Sequence, residues 1–386
     1  MDWSRIGAVT GVLVFAAGIA LWVATEGVFG IDFEVFRQAG ELVGADDWAG
    51  VYDPDVFRAR LGVGNDSLTY FISPPPFAWA MQPLAALPAP LALGLWHLFG
   101  VVAFVASART LGLPDRWLLP LAVMPAVVYN FALGQSGLFF LAAAVGVHRL
   151  VVSDRRVLAG LLAGVFILKP PLAIGLALWW LVDLRRWWPT VVAAGASAAM
   201  LVVPTLGDRG ESWELYWQVL QGRVDDEATW NVNSMSLAEF LKLLAPNVTG
   251  LTAVFWIVAL VVGGAATIAA GRRWPLDVEI RSAAAMLITV GVSPHLSIYD
   301  TGLLIIPVAV VAARASLRLE RIVALYAGSL AFAPLLYKWQ YDVIGRGSGL
   351  EFPALVAIAV ILARSVPVGA DLGSVDRERD HLIVGR

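Results

Sequence analysis

Apolar residues run from 6 to 29 with polar side chains only at Thr10, Thr25 and Glu26. A run of that length spans a bilayer, which needs about 20 apolar residues. Further apolar segments follow at 73–88, 90–108, 117–133, 136–152, 157–168, 171–184, 188–206, 250–270, 281–296, 300–313, 321–337 and 351–366. Two longer polar stretches interrupt them, at 30–72 and 207–249. In the first, Phe33, Phe36, Ala39 and Val43 share one helical face, with Glu34, Arg37, Gln38 and Glu41 opposite. Pro54 to Leu61 reads as a second short helix with Asp53 as its N-cap. The pattern predicts an all-α polytopic membrane protein whose first loop holds two amphipathic helices lying flat on the membrane surface. No stretch before residue 365 reads as a flexible linker, so a single transmembrane domain over 1–366 is expected, followed by a short charged tail, 367–386. The first run is too long for the h-region of a signal peptide and reads as a retained helix.

Composition sharpens this. The chain is 59% hydrophobic and 15% charged, with mean hydropathy +0.75, whereas soluble domains carry roughly 25% charged residues. Of the 16 Trp, Trp3, Trp48, Trp117, Trp187, Trp188, Trp213, Trp274 and Trp339 lie at ends of apolar runs, as interfacial anchors do. Cysteine is absent, which removes disulfides, thiolate nucleophiles and Cys-type metal sites.

Charge orients the segments. Arg149, Arg155 and Arg156, Arg185 and Arg186, Arg272 and Arg273, and Arg314, Arg318 and Arg321 form short basic turns, while the loops 30–72 and 207–249 are net acidic. Basic turns favour the cytoplasm, so the long loops face outward and the tail inward. If every segment crossed, the Gly134-Gln135 turn would lie on the wrong side. Making 73–88 a half-inserted piece, as its five prolines suggest, restores parity. About 12 crossings result, with 73–88 lining a cavity.

Four polar features then fall on the outer side: Asp32, Gly134-Gln135-Ser136, Lys169-Pro170-Pro171 and the stretch from Ser293 to Asp300. Asp32 fits a general base that takes a proton from an attacking hydroxyl; it equally fits an N-cap for a helix over 33–43. Lys169, one of three lysines, sits between two runs too short to cross comfortably. A lysine there either meets an anion such as a lipid phosphate or snorkels to the interface. His295 fits a contact to a leaving phosphate or sugar hydroxyl, or a plain bond to a backbone carbonyl. Arg37, Arg223, Lys338 and Arg346 are further outward cations, either phosphate clamps or simply solvated. No phosphate-binding glycine pattern follows a strand. The acidic loops disfavour nucleic acid, and neither a cofactor nor a metal site is expected.

Asp32-Phe33 after the first helix, Val51-Tyr52-Asp53-Pro54, Tyr70 to Phe77, Pro83-Leu84, Gly134-Gln135, Lys169-Pro170 and Ser293-Pro294-His295 to Tyr299-Asp300 occur in this order. The set resembles glycosyltransferase family 87, the group of the polyprenol-phosphate-mannose-dependent α-1,2-mannosyltransferases, over roughly residues 1–310. The resemblance implies a GT-C glycosyltransferase fold and a polyprenyl-phosphate sugar as donor. It also implies Asp32 as the catalytic acidic residue, with Lys169 and His295 near the donor phosphate.

The expectation is therefore a plasma-membrane enzyme working on its extracytoplasmic face. It moves a sugar, mannose by the resemblance, onto a glycolipid or glycan acceptor with inversion. Asp32 and His295 are the catalytic candidates, Lys169 and Arg37 the phosphate ligands, and Tyr70, Gln135, Tyr299 and Asp300 the groups that position sugar hydroxyls. The competing expectation is a transporter or flippase of a lipid-linked sugar. Transporters commonly carry inverted repeats and bind near the midplane; here no repeat is evident and the polar candidates sit at one face.

Overall fold

The computed structural model describes residues 29–62, 70–122, 124–207, 209–230, 236–244, 251–294, 296–314 and 356. Most of the first apolar run, His295, Lys338, Arg346, Arg318, Arg321, Trp3, Trp339, the segments 321–337 and 351–366 and the tail lie outside them. The described residues are 83% helical and contain no strand. In chain order the helices are α1 (Ile31–Gly44), α2 (Trp48–Val51), α3 (Pro54–Leu61), α4 (Pro75–Ala85), α5 (Ala89–Thr110), α6 (Leu118–Ala122), α7 (Pro125–Leu133), α8 (Gly137–Val152), α9 (Arg156–Ala163), α10 (Ile174–Val182), α11 (Leu184–Val202), α12 (Glu211–Trp230), α13 (Leu237–Leu244), α14 (Thr252–Arg273), α15 (Val278–Val292) and α16 (Ile305–Arg314).

Ala89–Thr110, Leu184–Leu206 and Thr252–Arg273 are long and apolar enough to cross a membrane unaided. The remaining apolar runs are cut shorter, and their prolines explain where. Pro125 starts α7, so the expected 117–133 run is split into α6 and α7. Pro170 and Pro171 lack backbone N–H groups and push Lys169 out of the α region (φ -148°, ψ 73°), leaving 3-10 turns between α9 and α10. Helix α4, only 11 residues with Pro83 inside, is about 16 Å long. That is about half the thickness of a bilayer's hydrocarbon core.

The apolar face of α1 behaves differently from expectation. Phe33, Phe36, Ala39 and Val43 are buried as a face should be, but so are Val35, Gln38 and Gly40. Its apolar side chains lie against α4 and α5: Phe36 meets Phe77 edge-on at 4.9 Å and Phe33 meets Trp96 at 5.4 Å. Helix α1 is thus wedged into protein, which gives Asp32 a rigid base. Asp53 does cap α3, accepting from the Asp55 amide at 2.8 Å.

Three of the four basic turns gather at one end. Arg156 Nη1 donates to the Arg186 carbonyl at 3.0 Å, and Arg281 Nη1 approaches Asp183 at 3.6 Å and the Pro275 carbonyl at 3.3 Å. The turns before α9, before α11 and before α15 therefore meet. Helix α8, 16 residues or about 24 Å long, runs from the Tyr299 backbone, which crowds its first residue Gly137, toward this end. Trp187 needs correcting: it is 1% exposed, not a lipid-facing anchor, whereas its neighbour Trp188 is 57% exposed.

Candidate active site

The site begins where two chain breaks dock. Gly30 takes a left-handed φ of 77° as the N-cap of α1, and its N–H donates to the Ala132 carbonyl at 2.8 Å. Gly134 ends α7 with φ 72°, and its carbonyl accepts from Trp96 Nε1 at 3.0 Å. A Cβ on Gly134 would stand 2.5 Å from the Phe33 Cβ. Only a glycine lets the two turns approach this closely. The contact brings Gln135 onto α1, where Gln135 Nε2 donates to Asp32 Oδ2 at 2.6 Å across 103 residues of sequence.

This geometry removes the capping role for Asp32. The N-cap is Gly30, no side chain caps the helix, and Asp32 lies in its first turn. There the exposed N–H groups of the helix end still favour a carboxylate. Gln135 is buried at 8% exposure while Asp32 remains partly exposed.

We expect Gly134→Ala to break this arrangement. The left-handed conformation costs a Cβ-bearing residue about 1–2 kcal/mol, and Phe33 must also move. A folded variant with a lower melting temperature and at least about a tenfold slower catalysed reaction is expected, since misplacement near 1 Å can cost a hundredfold. A folded variant with parental activity would show that this contact does not position Asp32.

The second group of residues forms around Lys169. Its ammonium donates to Asp300 Oδ1 at 2.7 Å and lies 4.7 Å from the centre of the Tyr299 ring. The Asp300 side chain is 1% exposed and that of Lys169 20%. Asp300 is held in the 3-10 turn Ile298–Leu304, its N–H donating to the Ser297 carbonyl at 2.9 Å. Lys169 therefore does not snorkel; it is paired inside protein. Asp300 commits its Oδ1 to Lys169, and its Oδ2 is buried without a hydrogen-bond partner among the described residues.

Asn130, not singled out in the sequence, joins the two groups. Its Nδ2 donates to the Tyr299 carbonyl at 2.8 Å and to the Ala126 carbonyl at 2.7 Å, and its backbone carbonyl accepts from the Gln135 N–H at 2.8 Å. Asn130 is 2% exposed. A signal was present: a lone amide within the apolar run 117–133 is costly at membrane depth and needs internal partners. Gly137, two residues past Gln135, would place a Cβ 2.7 Å from the Tyr299 carbonyl. At most about 7.6 Å of chain thus separates the Asp32 partner from the Lys169 platform.

Arg37 does not join them. Glu34 grips it at 2.6 Å and Glu41 at 3.5 Å along the same helix. Burial raises the Glu34 pKa, but hydrogen bonds from Arg37 and Gln38 and the arginine charge outweigh it and leave the carboxyl below its ordinary value. Arg37 is thus engaged by two carboxylates of its own helix. Tyr70 is half-buried against the aromatic core at the Phe71 side of α4. Among the described residues, no group of three or more His, Asp or Glu side chains is arranged to hold a metal.

The described residues are all-helical, with apolar helices of membrane-spanning length, and mark the chain as a membrane protein. The family model for glycosyltransferase family 87 matches residues 71–307, well over half of the chain, and the protein belongs to that family. Gln135, Lys169, Tyr299 and Asp300 fall inside the match; Asp32 lies before it. No curated protein and no solved structure matches the chain significantly.

Proposed function

We propose that this membrane glycosyltransferase moves a sugar from a polyprenyl-phosphate donor to a lipid or glycan acceptor, with mannose as the sugar the family resemblance favours. The observation that carries this reading is the joining of the Asp32–Gln135 pair to the Lys169–Asp300 pair through Asn130. A base and a phosphate-binding cation are what a displacement at an anomeric carbon needs, some ångströms apart.

In the proposed step the acceptor hydroxyl oxygen attacks the anomeric carbon and its proton passes to Asp32. The bond from that carbon to the phosphate oxygen breaks, and polyprenyl phosphate leaves with the electron pair. One displacement inverts the anomeric centre. Gln135 helps fix the carboxylate by donating to its Oδ2. An ammonium has three N–H donors; Asp300 occupies one, leaving two for the departing phosphate, where charge develops. Tyr299 stiffens the lysine from below. His295, next to this turn in sequence, is a second phosphate ligand in this reading.

The whole domain in this reading is of GT-C type with about 12 crossings. The site faces the outside of the plasma membrane, because the arginine turns that favour the cytoplasm collect at the other end. A reporter at Asp225 is then expected to be reachable from outside and one at Ser153 protected; access to Ser153 from outside would invert the topology. Function itself is tested by incubating purified protein in lipid with radiolabelled polyprenyl-phosphate mannose and candidate glycolipid acceptors. A labelled product of inverted configuration is expected, and transfer from a nucleotide sugar instead would overturn the donor assignment.

A further inference from the structure

The end of the bundle away from Asp32 carries a layer that sugar transfer does not use. Trp179 and Trp187 pack with ring centres 4.8 Å apart, each 1% exposed. Arg156 and Arg186 lie over Trp187 at 5.4 and 5.6 Å, and Arg281 lies over Trp179 at 5.6 Å. Three guanidinium groups from α9, α11 and α15 thus share one aromatic pair. Their carboxylate partners are weak: Asp183 comes only to 3.6 Å from Arg281, and Asp154 pairs with Arg156 through a side chain that is 76% exposed. The Arg281 side chain is 6% exposed, and its Nε is buried without a hydrogen-bond partner among the described residues. The Nε1 atoms of Trp179 and Trp187 are in the same condition. Unpaired buried donors and crowded like charges are both costly, and one anion would relieve both.

The surroundings say which anion. Val157 is 52% and Leu161 41% exposed on α9; Leu184 is 37% and Trp188 57% exposed on α11. Val157 adjoins Arg156, and Leu184 and Trp188 flank Arg186 within one turn, so cations and bare apolar surface alternate. The two helices are in close contact, a Cβ on Gly160 having no room against the Thr190 carbonyl. A soluble anion has no use for such a skirt, whereas an amphiphile with a phosphate head does. We propose that this end binds one anionic phospholipid, its phosphate on Arg156, Arg186 and Arg281 and its acyl chains along the α9–α11 face. The inference rests on the chain being a membrane protein and not on its donor or chemistry.

The test uses the full-length protein in neutral detergent, titrated with labelled phosphatidylglycerol or labelled phosphatidylcholine. Preference for phosphatidylglycerol is expected, and Arg156→Gln/Arg186→Gln should weaken it by on the order of tenfold or more. Arg272→Gln/Arg273→Gln removes the same charge at the same end and should change affinity less than about threefold if the site is discrete. Equal losses in both pairs would reduce the effect to diffuse attraction and overturn the site. Full displacement of the lipid by millimolar inorganic phosphate would replace the lipid with a simple anion. Should the first pair fail to fold, equal affinity of the unaltered protein for the two lipids would refute the proposal, and a clear preference abolished by high salt but not by phosphate would uphold it.

Discussion

Asp32→Asn is expected to fold like the parent and still bind donor, yet to transfer sugar a hundred- to ten-thousand-fold more slowly, the usual cost of losing a general base. The fold is expected to survive because Asp32 does not cap α1; Gly30 does. Asn keeps an oxygen that can accept the Gln135 amide, so the 2.6 Å contact has a neutral replacement. What Asn lacks is the capacity to take the acceptor proton. Gln135→Glu makes the complementary case. Two carboxylates would then face each other at the same short distance, one of them raised in pKa by the other, and the pH for half-maximal rate should shift upward. Near-parental turnover in folded Asp32→Asn would place the base elsewhere.

How far the sequence carried depends on the range of each interaction. The burial of Phe33, Phe36, Ala39 and Val43 follows from helical period, a local property, and the Asp53 cap follows from Pro54 and its neighbours. The breaks at Pro125 and Pro170 follow from missing N–H groups. By contrast, Gln135 lies 103 residues from Asp32 and Asp300 lies 131 from Lys169, and no local pattern announces either pairing. Asp300 and Lys169 read separately as a sugar ligand and a phosphate ligand; only their contact shows that the first conditions the second. Arg37 is the opposite case. Glu34 and Glu41 stand three and four residues away on the same helix, where such pairs normally form, so its partners were visible all along. Trp187 reads as an anchor because helix ends at membrane surfaces attract tryptophan, but its ring is the platform for two arginines.

Lys169 offers the second large effect, and its pairing dictates the variant. Lys169→Met alone leaves the Asp300 carboxylate buried and unpaired, and breaking a buried pair this way destabilises by about 3–5 kcal/mol. Loss of activity in that protein would say little about phosphate. The double replacement Lys169→Met/Asp300→Asn removes both charges together and is expected to fold, since exchanging a buried pair for neutral groups is often tolerated. If the ammonium holds the donor phosphate, the double variant loses a hydrogen bond to a charged group, worth roughly 1.5–3 kcal/mol. Donor affinity should then fall by about ten- to a hundredfold while acceptor affinity stays put. Asp300→Asn alone frees the lysine from its carboxylate and should bind donor at least as tightly as the parent. A stable double variant with unchanged donor affinity would make Lys169 a structural partner of Asp300, and the phosphate would have to be held by other residues near the Tyr299 turn.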